Sequence, residues 1–162
     1  MTAMLVGVIS DTHGLLRPEA VAALRGSDVI IHAGDIGSPE VIEQLHHVAP
    51  TFAVRGNNDM GGWAEAVPLT QVVKVGELLF YVLHEGAQIN LDPVATGYAA
   101  VVSGHSHRPS VQFRDGVLFL NPGSAGPRRF SLPVVVARVR VVGREMHPEI
   151  VELEVKGRLT TG

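Results

Sequence analysis

The chain has no cysteine among its 162 residues. That absence excludes a disulfide scaffold, a thiolate zinc site and a cysteine nucleophile, and it fits a reducing compartment. Long hydrophobic runs are missing too. The longest, such as Leu78–Leu83, fall far short of the ~18 residues that a spanning helix needs. Met1–Ile9 carries no basic segment ahead of its short apolar run, so no signal peptide is expected. Lysine is scarce, two against eleven arginines, and sixteen acidic residues outnumber thirteen basic ones. A formal charge of −3 and a pI near 6.2 argue against a stable nucleic-acid complex, since such domains usually carry a pI above about 9.

What is present fits one globular unit. At roughly 150 residues per domain, the length predicts a single domain over residues 1–162. Hydrophobic residues at 46% and charged residues at 18% exclude a disordered chain. The expectation is a soluble, cytoplasmic protein with no membrane association.

The first third alternates strand and helix. Met4–Ile9, Val29–His32 and Thr51–Val54 read as buried strands. Pro18 opens a helix to about Leu24, and Ser38-Pro39 opens another to about His46, with proline at the first helical position. Strand–helix–strand order predicts a parallel, crossover-linked sheet. The remainder reads as hairpins. Gln71–Val75 and Leu78–Leu83 flank Gly76-Glu77, and Ser110–Arg114 and Val117–Leu120 flank Asp115-Gly116, a type I′ turn signal. Ala99–Val102 reads as a buried strand, a short helix is expected after Asp92-Pro93, and Val134–Val142 with Glu145–Val155 predict a closing antiparallel pair. The expected architecture is α/β: two packed sheets with helices outside.

The chemistry lies in where these strands end. Leu5–Ser10 runs into Asp11 with His13 beyond it, Asp28–Gly34 into Asp35, and Thr51–Gly56 into Asn57. Leu78–Leu83 runs into His84, and Ala99–Gly104 into His105 with His107 beyond it. Ligands of open α/β sheets sit outside the carboxyl ends of the strands, so all seven side chains can meet on one rim. Two aspartates, one asparagine and four histidines are too many for one tetrahedral ion and suit two ions sharing a carboxylate. A sulfur-free donor set of this kind fits Mn²⁺, Fe²⁺, Co²⁺, Ni²⁺ or Zn²⁺. Two ions about 3.5–4 Å apart clamp the attacking and leaving oxygens of an in-line displacement. Glycines beside the ligands, Gly34 and Gly56 among them, allow sharp turns and close approach.

Ser10-Asp11-Thr12-His13-Gly14, Gly34-Asp35, Gly56-Asn57-Asn58-Asp59, His84, Gly104-His105-Ser106-His107 and Asn121-Pro122-Gly123-Ser124 together resemble the calcineurin-like metallophosphoesterase superfamily. The likeness is to its small bacterial and archaeal phosphodiesterase branch. The resemblance implies a four-layer αββα sandwich of two mixed β-sheets flanked by helices. It implies two divalent ions, Mn²⁺ being the expected occupant. Asp11, His13 and His107 match the ligands of the first ion, Asp35 the bridging carboxylate, and Asn57, His84 and His105 the ligands of the second. It further implies hydrolysis of a small or nucleotide-like phosphodiester by a hydroxide bridging the ions, with Asp35, Asn58 and Asp59 as candidate catalytic residues. It leaves room for a homo-oligomer. The same fold also serves as a non-catalytic scaffold in the retromer complex, where the metal site is degraded, and a phosphomonoesterase would share this metal site.

Two positions depart from the family pattern. Many members carry a histidine after the ligand asparagine as leaving-group acid; Asn58 stands there, as it does in part of the small branch, and an amide delivers no proton. Glu85 follows His84 where the branch usually has glycine, and as a glutamate it is expected to be solvated. His32 reads as a hydrogen-bonded core histidine, His46 and His47 as a helix end or surface, and His147 as a strand-edge residue. Arg128-Arg129 reads either as a phosphate contact or as a solvated pair. Asn121 and Ser124 read either as hydrogen-bonding groups near the site or as parts of a plain turn.

Overall fold

The computed structural model describes residues 2–155. In chain order it contains β1 (Ala3–Ile9), α1 (Pro18–Leu24), β2 (Val29–His32), α2 (Pro39–His46), β3 (Thr51–Ala53), α3 (Gly62–Glu65), β4 (Thr70–Val75) and β5 (Leu78–Leu83). A 3₁₀ turn at Gly86–Gln88, α4 (Pro93–Thr96), β6 (Ala100–Val102), β7 (Ser110–Arg114), β8 (Val117–Asn121), β9 (Val135–Val142) and β10 (Glu145–Glu152) follow. Both long helices begin on the expected prolines. Asp115 and Gly116 have φ of 52° and 80°, the pair of positive values that a type I′ hairpin demands.

The strands form two five-stranded sheets, ordered β10-β9-β1-β2-β3 and β4-β5-β6-β8-β7. β1, β2 and β3 pair in parallel through the α1 and α2 crossovers, and β9 adds antiparallel to β1. In the second sheet β5, β6 and β8 are parallel, with antiparallel β4 and β7 at its edges. Both sheets are therefore mixed.

Side-chain alternation explains the layers. Val6, Val8, Val29 and Ile31 face Phe80, Val82, Val102 and Leu120 across the central core. The intervening residues Ile9 and Ile30 turn to the opposite face, where Leu24, Val41 and Leu45 of the two helices cover them. Strands buried on both faces read as continuous apolar runs, as these do. The outer face of the second sheet buries Tyr81, Leu83 and Val101 under the shorter segments near Ile89, Leu91 and Tyr98. Truncating a fully buried phenylalanine such as Phe80 in such a core costs roughly 3–5 kcal/mol.

The structure differs from the sequence expectation in details. β10 stops at Glu152, because its partner β9 begins at Val135; Leu153 stays buried and still donates its N–H to Val134 O at 2.8 Å. α3 and the 3₁₀ turn are too short to produce a periodic signal. No helix among the described residues is long and apolar enough to cross a membrane.

His32 ties the first sheet to the loops above it and is fully buried. Gly34 N–H donates to its Nδ1 at 3.1 Å. The Thr12 hydroxyl proton is committed to Ile36 O at 2.7 Å, so the 3.0 Å contact between Thr12 Oγ1 and His32 Nε2 is a bond donated by the imidazole. That arrangement needs neutral imidazole. Burial, helped by the nearby His84 and opposed by Asp35, lowers its pKa from 6.5 to about 3. Below about pH 6.5 the unfolded chain binds a proton at this residue and the folded one does not, so stability is lost as pH falls toward 3. The loss amounts to about 2 kcal/mol at pH 5. In urea unfolding at about pH 7 and pH 5, the wild type should therefore lose roughly that much more stability than His32→Asn. Equal losses would show that His32 does not couple folding to protons.

Candidate metal centre

The site grows from the carboxyl ends of β1, β2, β3, β5 and β6. The loop after β1 lies on the loop after β2: Asp11 N–H donates to Gly34 O at 2.9 Å, His13 N–H to Asp35 O at 2.9 Å, and Gly14 N–H to Ile36 O at 2.8 Å. Within the second sheet Gly104 N–H reaches His84 O at 2.9 Å, and across the sandwich His105 N–H reaches Asp11 Oδ2 at 3.1 Å.

These bonds hold Asp11, His13, Asp35, His105 and His107 at φ of 56°, 48°, 56°, 73° and 63°. Side chains avoid this left-handed region, at a cost of order 1–3 kcal/mol each, and such residues persist only where the surroundings over-determine them. Asp59 is one source of that determination. Its carboxylate accepts from Gly37 N–H at 2.9 Å, Ile36 N–H at 3.1 Å and Gly56 N–H at 2.9 Å, clamping the loop after β3 to the loop after β2. The sequence suggested a catalytic Asp59; the structure commits its oxygens to backbone amides. Gly56 is the counterpart of this clamp, because a Cβ there would overlap Asp35 N and Oδ1.

Two side-chain groups result. Asp11, His13 and His107 offer donor atoms within 4.8 Å of one another, and so do Asp35, His84 and His105. The groups adjoin. His13 Nε2 lies 3.9 Å from Asp11 Oδ1 and 3.7 Å from Asp35 Oδ2; His84 Nε2 lies 3.9 Å and 3.3 Å from the same two oxygens. Six of the seven expected ligands thus meet on one rim. Asn57, the seventh, is exposed and lines a cleft together with His84 of the second group.

The donor atoms fit metal ions. Asp11 Oδ1, His13 Nε2 and His84 Nε2 are buried with no hydrogen-bond partner among the described residues, a state that costs about 1–3 kcal/mol per group if nothing satisfies it. The other polar atoms of Asp11 and His84 are occupied. Ser10 Oγ–H donates to Asp11 Oδ2 at 2.6 Å, and His84 Nδ1 donates to Ala33 O at 2.7 Å, which leaves its Nε2 lone pair aimed inward.

Charge follows the same pattern. Burial opposes the Asp35 carboxylate, yet His84 close beside it and the amides of Asn58 hold its pKa well below the usual range. Burial also opposes charge on His84, but Asp35, the Ala33 carbonyl and Asp11 outweigh it and raise the pKa above 6.5. Burial pushes His107 down, Asp11 opposing it and Arg129 adding to it. A cation between the carboxylates would displace the proton that His84 otherwise keeps.

Several sequence expectations are refined here. Asn58 donates its backbone N–H to Asp35 Oδ1 at 2.9 Å and its Nδ2 to Asp35 Oδ2 at 3.1 Å, so in this arrangement it orients the carboxylate. Glu85, expected to be solvated, keeps only 29% of its side chain exposed and sets Oε2 3.8 Å from His105 Nε2. Asn121 Nδ2 donates to Gly104 O at 2.9 Å while its Oδ1 accepts from Gly123 N–H, and Ser124 donates to Asp11 O at 3.0 Å. They both shape a turn and brace the loops of the site. Arg128 and Arg129 are exposed. Sequence reasoning missed the roles of Ser10 and Thr12, whose only signal was a hydroxyl on either side of the strand-end Asp11.

Removing an outer partner of a ligand typically costs 10–100-fold in metal affinity. Asn58→Ala should therefore weaken Mn²⁺ binding by roughly tenfold or more in calorimetry, with little change in thermal stability of the metal-free protein. An unchanged affinity would mean that the Nδ2 bond to Asp35 does not hold it for a metal.

Residues 4–144 match the calcineurin-like phosphoesterase superfamily domain. A probable metallophosphoesterase of Methanothermobacter thermautotrophicus is 32% identical over 160 residues, covering 91% of this chain and 92% of that protein. A phosphodiesterase of Methanocaldococcus jannaschii is 28% identical over 150 residues, covering 82% and 90%. Among solved structures, vacuolar protein sorting 29 of Cryptosporidium parvum superposes with a TM-score of 0.73 at 19% identity, covering 94% of this chain and 98% of that one, a likeness of fold. With two mixed sheets carrying clustered aspartates and histidines at their strand ends, and most of its length matched, the chain belongs to the calcineurin-like phosphoesterase superfamily.

Proposed function

We propose that the chain is a metal-dependent phosphodiesterase with two divalent ions at the strand-end rim. One observation carries the reading: Asp11 and Asp35 both lie within 4 Å of His13 Nε2 and His84 Nε2, so histidines of both groups face the same two carboxylates. In this reading Asp11, His13 and His107 hold one ion, His84, His105 and Asn57 hold the other, and Asp35 serves both. When bound, such ions activate water near neutral pH and neutralise charge on the phosphoryl oxygens.

The residues of the chain do the positioning. The Ala33 carbonyl fixes the tautomer of His84. Asn58 keeps Asp35 ionised and oriented. Asp59 and the loop-to-loop bonds keep the donors at their spacing. The phosphodiesterase relative from Methanocaldococcus jannaschii supports the substrate class. Asn58 supports it as well, because a site without a proton donor there suits esters with good leaving groups. The family resemblance makes Mn²⁺ the ion of first choice, while the imidazole, carboxylate and carbonyl donor set itself also admits Fe²⁺, Co²⁺, Ni²⁺ or Zn²⁺. The fold likeness to vacuolar protein sorting 29 raises the scaffold reading, but all seven positions here retain residues able to hold metal.

The test is hydrolysis by metal-stripped protein with each divalent ion restored in turn. Aryl phosphodiesters should be cleaved in the presence of Mn²⁺, far better than alkyl diesters and better than aryl monoesters. Asp35→Asn should lose more activity than Asp11→Asn, because loss of a shared carboxylate leaves two cations repelling at short range. No turnover with any ion would overturn the reading, and a preference for monoesters would move it to a phosphomonoesterase.

A further inference from the structure

The parallel register of β5 and β6 pairs Phe80 with Ala100, Tyr81 with Val101 and Val82 with Val102. The ladder continues past both strands, since Gly104 N–H donates to His84 O at 2.9 Å. The same offset sets Glu85 opposite His105, on neighbouring strand ends that in a sheet run about 5 Å apart. A second restraint acts on Glu85. It opens the 3₁₀ turn, where its carbonyl accepts from Gln88 N–H at 3.0 Å. The next residue, Gly86, packs so close to β6 that a Cβ there would stand 3.0 Å from Ser103 Oγ. Glu85 Oε2 ends 3.8 Å from His105 Nε2.

His105 is the ligand with the least packing to hold it. Its side chain is 44% exposed, against 24% for His13, 6% for His84 and 4% for His107. Its ring stands edge-on to His84, with centroids 5.2 Å apart. A metal-binding imidazole is normally held by an acceptor on its other N–H, which fixes the tautomer and the direction of the ring. For His84 that acceptor is the Ala33 carbonyl. For His105, Glu85 is the carboxylate within 4 Å that belongs to neither ligand group. Among the described residues, the carboxylates within 4 Å of His13 and His107 are Asp11 and Asp35, which are ligands themselves. The two groups are therefore unequal.

We propose that Glu85 is the positioning residue of His105: it accepts the imidazole Nε2–H, leaves Nδ1 for the ion shared with Asp35 and His84, and adds negative charge beside that ion alone. This role rests on the two-ion reading above. A gap of 3.8 Å is longer than the ~2.9 Å of a hydrogen bond, and both side chains keep free torsions with which to close it. Hydrogen bonds around a site are often long until its ligand is bound.

Mn²⁺ calorimetry and anomalous diffraction test the role without turnover. Glu85→Ala should weaken the ion among Asp35, His84 and His105 about tenfold or more, and leave the ion among Asp11, His13 and His107 unchanged. At limiting Mn²⁺ only the former peak should fall. Glu85→Gln, whose side-chain carbonyl accepts the same hydrogen bond, should recover part of the loss. A role in folding alone would not single out one ion. Zn²⁺ is diamagnetic and permits a spectroscopic reading. In the Zn²⁺-loaded wild type the His105 proton should sit on Nε2 and give a downfield, slowly exchanging resonance, which Glu85→Ala should lose to solvent. Two bound ions without any hydrolysis would remove the phosphodiesterase reading and leave the role of Glu85 standing. Equal loss at both positions, no loss in Glu85→Ala, or Zn²⁺ bound to Nε2 of His105 would overturn it.

Discussion

Two buried carboxylates, Asp11 and Asp35, face each other's histidines at the ends of adjacent parallel strands, and the rest of the site is arranged around them. No lysine or arginine forms an ion pair with either among the described residues. Their charge is carried by imidazoles, a serine hydroxyl and backbone or side-chain amides. Burying charge without a strong partner is expensive, and the expense makes sense when a cation completes the set. Parallel pairing of β1 with β2 brings the two aspartates side by side, since equivalent strand ends of a parallel pair point the same way.

Holding them there strains the backbone. Five histidine and aspartate positions of the site sit at positive φ, each costing of order 1 kcal/mol or more. The offset comes from loop-to-loop hydrogen bonds, from Asp59 as acceptor for three amides, and from the apolar core directly beneath, where Val8, Ile31 and Val82 are sealed from water. His32 joins these levels: it is part of the core strand β2, yet it bonds both loops that carry the aspartates. The spacing of the donors is thus set by hydrogen bonds and packing within the chain itself, the kind of support a precise metal site needs.

Much of this was legible in the chain. Apolar runs buried on both faces marked β1, β2, β5 and β6, prolines marked the starts of α1 and α2, and Asp115-Gly116 marked a hairpin, because each signal is local. The clustering of Asp11, His13, Asp35, His84, His105 and His107 was legible too, because each lies within a few residues of a strand's carboxyl end. The partners of those ligands were not. Asp59 was read with its motif neighbours Asn57 and Asn58, whereas two of the three amides it accepts from, Ile36 and Gly37, lie more than twenty residues away in sequence. Glu85 appeared solvated because glutamate usually is; its approach to His105 depends on how β5 and β6 align, which no local pattern encodes.

The central claim is that the rim holds two ions that share Asp35. Anomalous-difference diffraction from crystals grown with Mn²⁺ tests it most directly. The account requires two peaks per chain, one among Asp11, His13 and His107 and one among Asp35, His84 and His105, both within bonding distance of the Asp35 carboxylate. A single peak at full occupancy under saturating Mn²⁺, or peaks away from these residues, would contradict it.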